Sequence, residues 1–290
     1  GSFRKLPSEN NIDVLVDRAQ SKSTRLQQQS AQDLFRLVQT SEVHRTEIAS
    51  QGGTEALVRL FNSKSEQASE AALRSIVELC KQDRCRDQVL EKGAWGVLIT
   101  CLKGERLDFR ESALDIMHLL SSNEYYSNKI VDEGLLLCLL DLRCMTSTNN
   151  RAYASQVDVK ALQIVHTITR QFKIPRFVVL TTLDRLFAII HSQLTRIPMK
   201  VSAAEILAHL SKDKDTHGSI AAACGGTSLS RIIKLTRLSN PAFPAAAADM
   251  LASLASSSSR TLVRRLLRAN CAAALSALLR RRRSPKLVAR

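Results

Sequence analysis

Together, Gln51-Gly-Gly-Thr-Glu-Ala-Leu-Val-Arg-Leu-Phe61 and Ala71-Ala-Leu-Arg-Ser-Ile-Val-Glu-Leu-Cys80 predict the architecture of this chain. In the first stretch, a glycine pair precedes an apolar helix. In the second, Ala72, Ile76 and Leu79 are spaced to share one face of a longer helix. Helices this short bury their apolar faces only against further copies of the same unit, so repeats are expected on both sides.

The alanine-centred pattern recurs along the chain. Each anchor alanine is followed by apolar residues at +4 and +7, and the six anchors are Ala31, Ala72, Ala113, Ala161, Ala203 and Ala247. Successive anchors are 41, 41, 48, 42 and 44 residues apart. Glycines precede four of the anchors, at Gly53, Gly93, Gly134 and Gly226, where we expect a sharp bend between helices. A sustained period of this size predicts a helical solenoid.

Each repeat is predicted to run in the order short helix, glycine turn, middle helix and long anchor helix. The short helices are predicted at 44–51, 86–92, 126–133 and 217–225, and two of the long helices at 24–39 and 66–81. The repeat from Phe172 to Lys212 has Pro175 and Arg176 where the glycine is expected, so its first helix should be reshaped. The added residues 147–151 predict a loop or a longer following helix.

Composition supports an all-α fold. Pro and Gly are few, at six and ten residues, and aromatic residues make up 4%, so the core is expected to consist of Leu, Ile, Val and Ala. The longest apolar runs are far shorter than the roughly 18 residues that a membrane span needs. No transmembrane segment is therefore predicted.

The order of elements in Gln51–Cys80 resembles the armadillo repeat, which has a glycine before its apolar segment and an alanine in its long helix. The resemblance covers residues 11–282 and implies a right-handed α-solenoid of about six to seven three-helix repeats. Residues 1–10 are predicted to be an N-terminal tail, in which Gly1-Ser2 resembles a cloning scar, and residues 283–290 a basic C-terminal tail. HEAT-type repeats, whose helix-pair period overlaps, are the alternative.

The resemblance also implies a concave groove lined by the long third helices. Nuclear-import members of the family carry Trp and Asn in this groove, two and six residues after the anchor. This chain has neither residue at those positions, so capture of basic localisation peptides is not expected. Positions +2, +6 and +9 share one helical face. The predicted partner-binding residues on that face are Arg74, Glu78, Lys81, Gln163, Thr167, Arg170, His209 and Lys212. An ordinary solvated helix face is the alternative interpretation.

Positive charge is concentrated at the C-terminal end of a chain with net charge +15. Residues 1–172 contain 22 basic and 22 acidic residues, and residues 173–256 contain ten basic and five acidic residues. Residues 257–290 contain ten basic residues and no acidic residue. The predicted basic C-terminal patch comprises Arg264, Arg265, Arg268, Arg280, Arg281, Arg282 and Arg283. Leu262, Val263, Leu266 and Leu267 are predicted to form one apolar helical face beside it.

The basic patch has several interpretations. The plainest is a terminal repeat whose arginines keep its outer face soluble. The others are a nuclear localisation signal within 280–286 and binding to an anionic polymer or membrane, such as nucleic acid, tubulin tails or phosphoinositide. No Phe, Tyr or Trp occurs in residues 257–290, so a nucleic-acid contact would rest on phosphates alone and depend steeply on salt.

Catalytic and metal-binding signatures are missing from the sequence. The seven cysteines include no C-x-x-C pair, and their odd number within apolar helices indicates reduced thiols in a cytoplasmic or nuclear setting. The six histidines have no H-E-x-x-H spacing, and no phosphate loop or nucleophile elbow occurs. Neither enzymatic activity nor a metal, cofactor or small-molecule substrate is predicted.

These observations predict a non-enzymatic protein-protein interaction module that acts as a scaffold, adaptor or co-chaperone. Its partner would be an acidic or extended protein segment held along the groove. Electrostatic binding of an anionic polymer or membrane through residues 257–290 is the alternative function.

Overall fold

The computed structural model describes residues 12–141, 151–172, 174–223, 227–257 and 259–283. Helices joined by short turns make up these residues, and no strand occurs among them, so the all-α prediction is confirmed. The chain divides into two compact units, Gly1–Leu120 (unit 1) and Ser121–Arg290 (unit 2). The predicted N-terminal tail at 1–10 lies outside the described residues, and so does the predicted C-terminal tail at 283–290 except for Arg283, which ends a helix. The domain boundaries stay a prediction.

Unit 1 contains three long helices, each preceded by shorter ones. Its helices are α1 Ile12–Ala19, α2 Thr24–Thr40, α3 Glu42–Ser50, α4 Gly53–Phe61, α5 Glu66–Lys81, α6 Asp83–Val89, α7 Trp95–Lys103 and α8 Leu107–Leu120, with a π-helical turn Leu90–Ala94 before α7. The long helices stack in chain order, since α5 packs against both α2 and α8. The predicted long helices at 24–39 and 66–81 are confirmed.

Unit 2 repeats this arrangement with more irregular lengths. Its helices are α9 Glu124–Asp132, α10 Leu135–Leu139, α11 Arg151–Gln171, α12 Arg176–His191, α13 Ile197–Leu210, α14 His217–Ala222, α15 Ser228–Leu235, α16 Ala242–Ala255, α17 Arg260–Arg268 and α18 Cys271–Arg283. Here α13 packs between α11 and α16. Of the added residues 147–151, Arg151 begins α11 and the others lie outside the described part of the chain.

The anchor alanines form the contact line between stacked long helices. All six anchors are fully buried, and so are most of the apolar residues four and seven positions later, such as Ile76 and Leu79. A methyl group is small enough to let two helices approach closely at each anchor. The repeat pattern therefore marks the core, as predicted.

The glycine turns are confirmed at two positions and corrected at a third. Gly93 and Gly134 have φ of +113° and +69°, which a side chain would strain. In the first turn, Gly52 and not Gly53 has the positive φ, +78°. Gly53 begins α4, and a Cβ there would lie 2.5 Å from Cγ2 of Ile48 and 2.6 Å from its carbonyl oxygen. The two glycines therefore have different roles. Gly52 turns the chain, and Gly53 allows α3 and α4 to pack closely. Gly226 lies outside the described residues.

The repeat that lacks its glycine is reshaped, as expected. One continuous 16-residue helix, α12, replaces the usual short and middle helices. Pro175 stands directly before this helix, at a position where no helical hydrogen bond requires the backbone N–H that proline lacks. The other short helices begin two or three residues before the predicted positions, except α14, which begins at His217 as predicted.

The last pair of helices departs from the prediction on its apolar face. In α17, Leu262 and Leu266 are buried, but Leu267 is 67% exposed, so the predicted four-residue face is wrong at that position. Leu262 and Leu266 are one turn apart and form a narrow stripe against α16, whereas Leu267 is rotated about 100° further round the helix. Asn270, with φ of +62°, makes the turn into α18 where other repeats use glycine.

Candidate functional site

The predicted groove residues of unit 1 lie on the exposed side of α5. Arg74 and Lys81 are exposed, and Glu78 is half-buried. The Arg74 guanidinium lies 2.6 Å from Oε1 of Glu70, and Nζ of Lys81 lies 2.6 Å from Oε1 of Glu78. Both basic side chains are thus paired with a carboxylate of their own helix.

The predicted groove residues of unit 2 come from two neighbouring helices, α11 and α13. Gln163, Thr167 and Arg170 lie on α11, and His209 lies on α13, with Lys212 just beyond its end. The Thr167 hydroxyl donates to the Gln163 carbonyl at 3.1 Å, so it is used within its own helix. Gln163, Arg170 and Lys212 are exposed.

Three of these residues come together around one imidazole. The pKa of His209 is lowered from its ordinary value, first by partial burial and then by the positive charges of Lys212, His166 and Arg170. A hydrogen bond from the ring to the Arg170 backbone opposes this shift. Arg170, His209 and Lys212, together with His166, are called the α11–α13 cation cluster below.

The charges of this cluster are not neutralised in the way those on α5 are. Among the residues that the structure describes, no ion pair involves Arg170 or Lys212. The units also differ in composition: residues 1–120 contain 17 basic and 17 acidic residues, whereas residues 121–290 contain 25 and ten. The cluster is therefore suited to contact carboxylates from another molecule.

His166 was not among the partner-binding residues predicted from the sequence. It lies five residues after the anchor Ala161, outside the +2, +6 and +9 positions, yet it is one turn before Arg170 on the same helix. That i, i+4 relation was the available signal. A second group was also missed: the pKa of His191 is lowered by burial and then by Arg231, Lys234 and Lys200.

The lowered pKa of His209 predicts that the protein loses stability as the pH falls. The unfolded chain takes up this proton near the ordinary pKa of 6.5, whereas the folded state takes it up only at lower pH. The contribution is therefore complete above pH 6.5 and is lost as the pH falls through the lower, folded-state pKa. We expect the loss of urea midpoint between about pH 7.5 and about pH 5.5 to be smaller in His209→Gln than in the parent chain. An equal loss in both proteins would contradict the assignment.

The described residues of the basic C-terminal patch are exposed. Arg264, Arg265 and Arg268 project from α17, and Arg280 from α18. Arg281, Arg282 and Arg283 complete α18, and their side chains are outside the described part of the structure. The predicted patch thus lies on two consecutive helices at the C-terminal end.

The thiols are mostly buried and unreactive. Burial raises the pKa of Cys80 and of Cys101 to about 12, so neither forms a thiolate near neutral pH. No disulfide joins any of the described cysteines, which are Cys80, Cys85, Cys101, Cys138 and Cys271, and Cys144 and Cys224 lie outside the described residues. In the described ranges, no three His, Cys, Asp or Glu side chains are grouped closely enough for a metal ion. None of the helices there has the length and hydrophobicity of a membrane span.

Comparison with known proteins identifies the fold. No family model and no curated protein matches the chain. Among solved structures, an engineered protein is 19% identical, with a TM-score of 0.56 over 84% of this chain and 96% of its own. A structure of computationally designed armadillo repeat proteins for modular peptide recognition is 15% identical, with a TM-score of 0.59 over 83% and 99%. A designed armadillo repeat protein in complex with the peptide (KR)4 is also 15% identical, with a TM-score of 0.57 over 83% and 98%. The chain has an armadillo-like repeat fold.

Proposed function

We propose that this protein is a non-enzymatic binding scaffold that holds an acidic, extended segment of a partner protein on the third helices of unit 2. The observation that carries the proposal is the α11–α13 cation cluster, in which His166 and Arg170 of α11 and Lys212, just after α13, lie close enough to His209 to lower its pKa. Designed repeat proteins of this fold recognise peptides, one of them the basic peptide (KR)4. The cluster in this chain is positively charged, so it calls for an acidic peptide.

Unit 1 is the weaker candidate for this contact. A partner carboxylate that approached Arg74 or Lys81 would have to compete with Glu70 or Glu78, which already lie 2.6 Å away. Exposed ion pairs are worth only about 0–1 kcal/mol, so exchanging one for another gains little. Arg170 and Lys212 lose no such pair when they bind a partner, and the acidic segment should therefore prefer unit 2.

A peptide-binding measurement tests the proposal. The probe is a fluorescent Asp/Glu-rich peptide of about ten residues, and binding is followed by anisotropy at about 100 mM salt. We expect Arg170→Gln combined with Lys212→Gln to weaken binding roughly tenfold, because about 0.7 kcal/mol is lost at each exposed pair. The control is Arg74→Gln with Lys81→Gln, which removes the same charge from unit 1 and should change the affinity less than about twofold. Equal losses in the two double variants would sink the proposal.

A second candidate function rests on α17 and α18. Arg264, Arg265, Arg268 and Arg280 are exposed there, beside the exposed Leu267, and residues 257–290 contain no acidic residue. This surface suits an anionic polymer or membrane, such as nucleic acid, a tubulin tail or phosphoinositide. Vesicle and oligonucleotide binding by Arg264→Gln with Arg268→Gln would test it. Unchanged binding of both probes in that variant would exclude it.

We further propose a cytoplasmic or nuclear location, as the cysteine content suggests. Fluorescence microscopy of the tagged chain in cells tests this proposal.

A further inference from the structure

Two loops of unit 2 carry exposed aliphatic side chains at the same position in the repeat. The loop 192–196, between α12 and α13, contains Leu194, which is 48% exposed. The loop 236–241, between α15 and α16, contains Leu238, which is 41% exposed. Each leucine lies nine residues before the anchor alanine of its repeat. Equivalent positions of consecutive repeats lie side by side in a solenoid, so these loops form one edge of unit 2, called the two-loop edge below.

Both loops are tied to the helix that precedes them. Thr195 is buried, and its hydroxyl donates to the Ile189 carbonyl of α12 at 2.6 Å. Thr236 is also buried, and its hydroxyl donates to the Ile233 carbonyl of α15 at 2.7 Å. A buried threonine within two residues of each leucine therefore holds the loop backbone in place while the leucine side chain stays at the surface.

The equivalent loop positions of unit 1 are not apolar. Nine residues before the three anchors of that unit stand Lys22, Ser63 and Gly104. In unit 2, Ile197 adds a third aliphatic side chain, 58% exposed and three residues after Leu194. Single exposed leucines are common on protein surfaces, whereas exposed apolar groups that share one edge indicate an interaction site.

The two-loop edge has positive charge and no negative charge. Residues 185–204 and 216–248, which include both loops, contain no Asp or Glu. Arg196 is the last residue of the first loop, and Arg237 directly precedes the leucine of the second loop. Both arginines are exposed, and neither takes part in an ion pair with any residue that the structure describes. Each exposed leucine thus has an unneutralised cation close to it in the chain.

Further cations from three helices meet beside the first loop. His191 is the last residue of α12, and its pKa is lowered first by burial and then by Arg231 and Lys234 of α15 and Lys200 of α13. Across the described ranges, no ion pair neutralises any of these groups. His209 lies nine residues after Lys200, on the opposite side of α13, so these cations are separate from the α11–α13 cation cluster.

We propose that the two-loop edge binds the surface of an anionic membrane. Its aliphatic side chains enter the outer part of the lipid layer, and the cations around them lie at the level of the phosphate head groups. Aliphatic groups suit lipid better than nucleic acid, whose bases stack on aromatic side chains. The aromatic side chains of residues 185–204 and 216–248 are Phe187 and Phe243, and both are buried.

The test is co-sedimentation of the full chain with lipid vesicles at about 100 mM salt. One set of vesicles is phosphatidylcholine alone, and the other is phosphatidylcholine and phosphatidylserine in a ratio of about 7:3. We expect at least about tenfold tighter binding to the anionic vesicles, because each Lys or Arg near such a surface contributes roughly fivefold to the affinity. No binding to the anionic vesicles, or equal binding to both sets, would overturn the proposal.

Variants that change no charge test the aliphatic contact. Leu194→Ser with Leu238→Ser should weaken binding to the anionic vesicles about tenfold or more, because two aliphatic side chains no longer transfer into lipid. The control is Leu180→Ser with Leu267→Ser, which removes two exposed leucines from α12 and α17 and should change the affinity less than about twofold. All four leucines are exposed, so we expect both double variants to fold. Equal losses in the two would show that the contact lies elsewhere.

Charge variants test the contribution of the cations. Arg196→Gln with Lys234→Gln should weaken binding to the anionic vesicles about twentyfold, since two cations are lost from the contact. Arg170→Gln with Lys212→Gln removes the same charge from the α11–α13 cation cluster and should change the affinity less than about twofold. Equal losses would indicate attraction by net charge alone and would contradict the site. The same comparison keeps this proposal apart from acidic-peptide binding, which depends only on the second pair.

An acidic protein segment with apolar side chains is the competing occupant of the two-loop edge, and tryptophan fluorescence distinguishes it from lipid. Trp95 is the only tryptophan in the sequence, so Leu194→Trp and Leu180→Trp each add one emitter to a simple background. Brominated acyl chains quench a tryptophan that reaches them. We expect stronger quenching in Leu194→Trp than in Leu180→Trp on anionic vesicles. Equal quenching in the two variants would show that Leu194 does not enter lipid and would overturn the proposal.

Discussion

Replacing Phe187 by alanine is expected to lower the free energy of unfolding by about 3–5 kcal/mol, the usual cost of truncating a buried aromatic residue. Phe187 is fully buried in α12, the helix that replaces two shorter ones in the reshaped repeat. Because α12 packs against α13 and α14, truncating a fully buried ring on it leaves a cavity that the surrounding side chains fill only in part. Urea denaturation followed by circular dichroism would measure the effect.

Leu180→Ala is the matched control for this prediction. Leu180 lies two turns earlier on the same helix but is 42% exposed, so its truncation should cost less than about 1 kcal/mol. If the two variants unfold at the same urea concentration, Phe187 is not buried as described, and the prediction is wrong.

Gly53→Ala is expected to destabilise the protein by about 1–3 kcal/mol, even though alanine is the better helix former. The added Cβ would lie 2.5 Å from Cγ2 of Ile48 and 2.6 Å from the Ile48 carbonyl oxygen. The side chain of Ile48 could rotate, but its carbonyl is part of the α3 backbone and cannot move without separating α3 from α4. Thermal unfolding would report the change as a lower midpoint.

Gly52→Ala tests whether the two glycines differ as described. A Cβ at Gly52 meets nothing within 4 Å, so only its left-handed backbone, at φ +78°, opposes the substitution. That strain is worth about 1 kcal/mol. We therefore expect Gly52→Ala to be the milder change, and a larger loss in Gly52→Ala than in Gly53→Ala would reverse the roles assigned to the pair.

The glycine pair illustrates what could be predicted about the turns. Sequence spacing placed the bend at Gly53, one residue after Gly52, which has the positive φ. The role of Gly53 was predicted wrongly, since it depends on where Ile48 of the preceding helix lies. Asn270 was missed for a related reason: asparagine makes a left-handed turn often enough to replace glycine, but the repeat pattern was searched for glycine.

The candidate site was predicted less completely than the fold. The +2, +6 and +9 rule found Arg170, His209 and Lys212, which the structure brings together, and it gave the same weight to Arg74 and Lys81, which are paired with carboxylates. The i, i+4 and i, i+3 spacings of Glu70 with Arg74 and of Glu78 with Lys81 were the available signal for these ion pairs, and the groove rule did not use it.

The sequence by itself determined the repeat, its length, the buried anchor alanines and the positions of most turns, because these depend on contacts that recur at the same spacing in every repeat. The ion pairs of Arg74 and Lys81 are also local, because each joins residues four or three apart on one helix. Only the tertiary structure decided that His166 and Arg170 of α11 approach His209 of α13. That outcome depends on side chains that are far apart in the chain and are brought together by the stacking of one long helix on the next, and no local spacing encodes it.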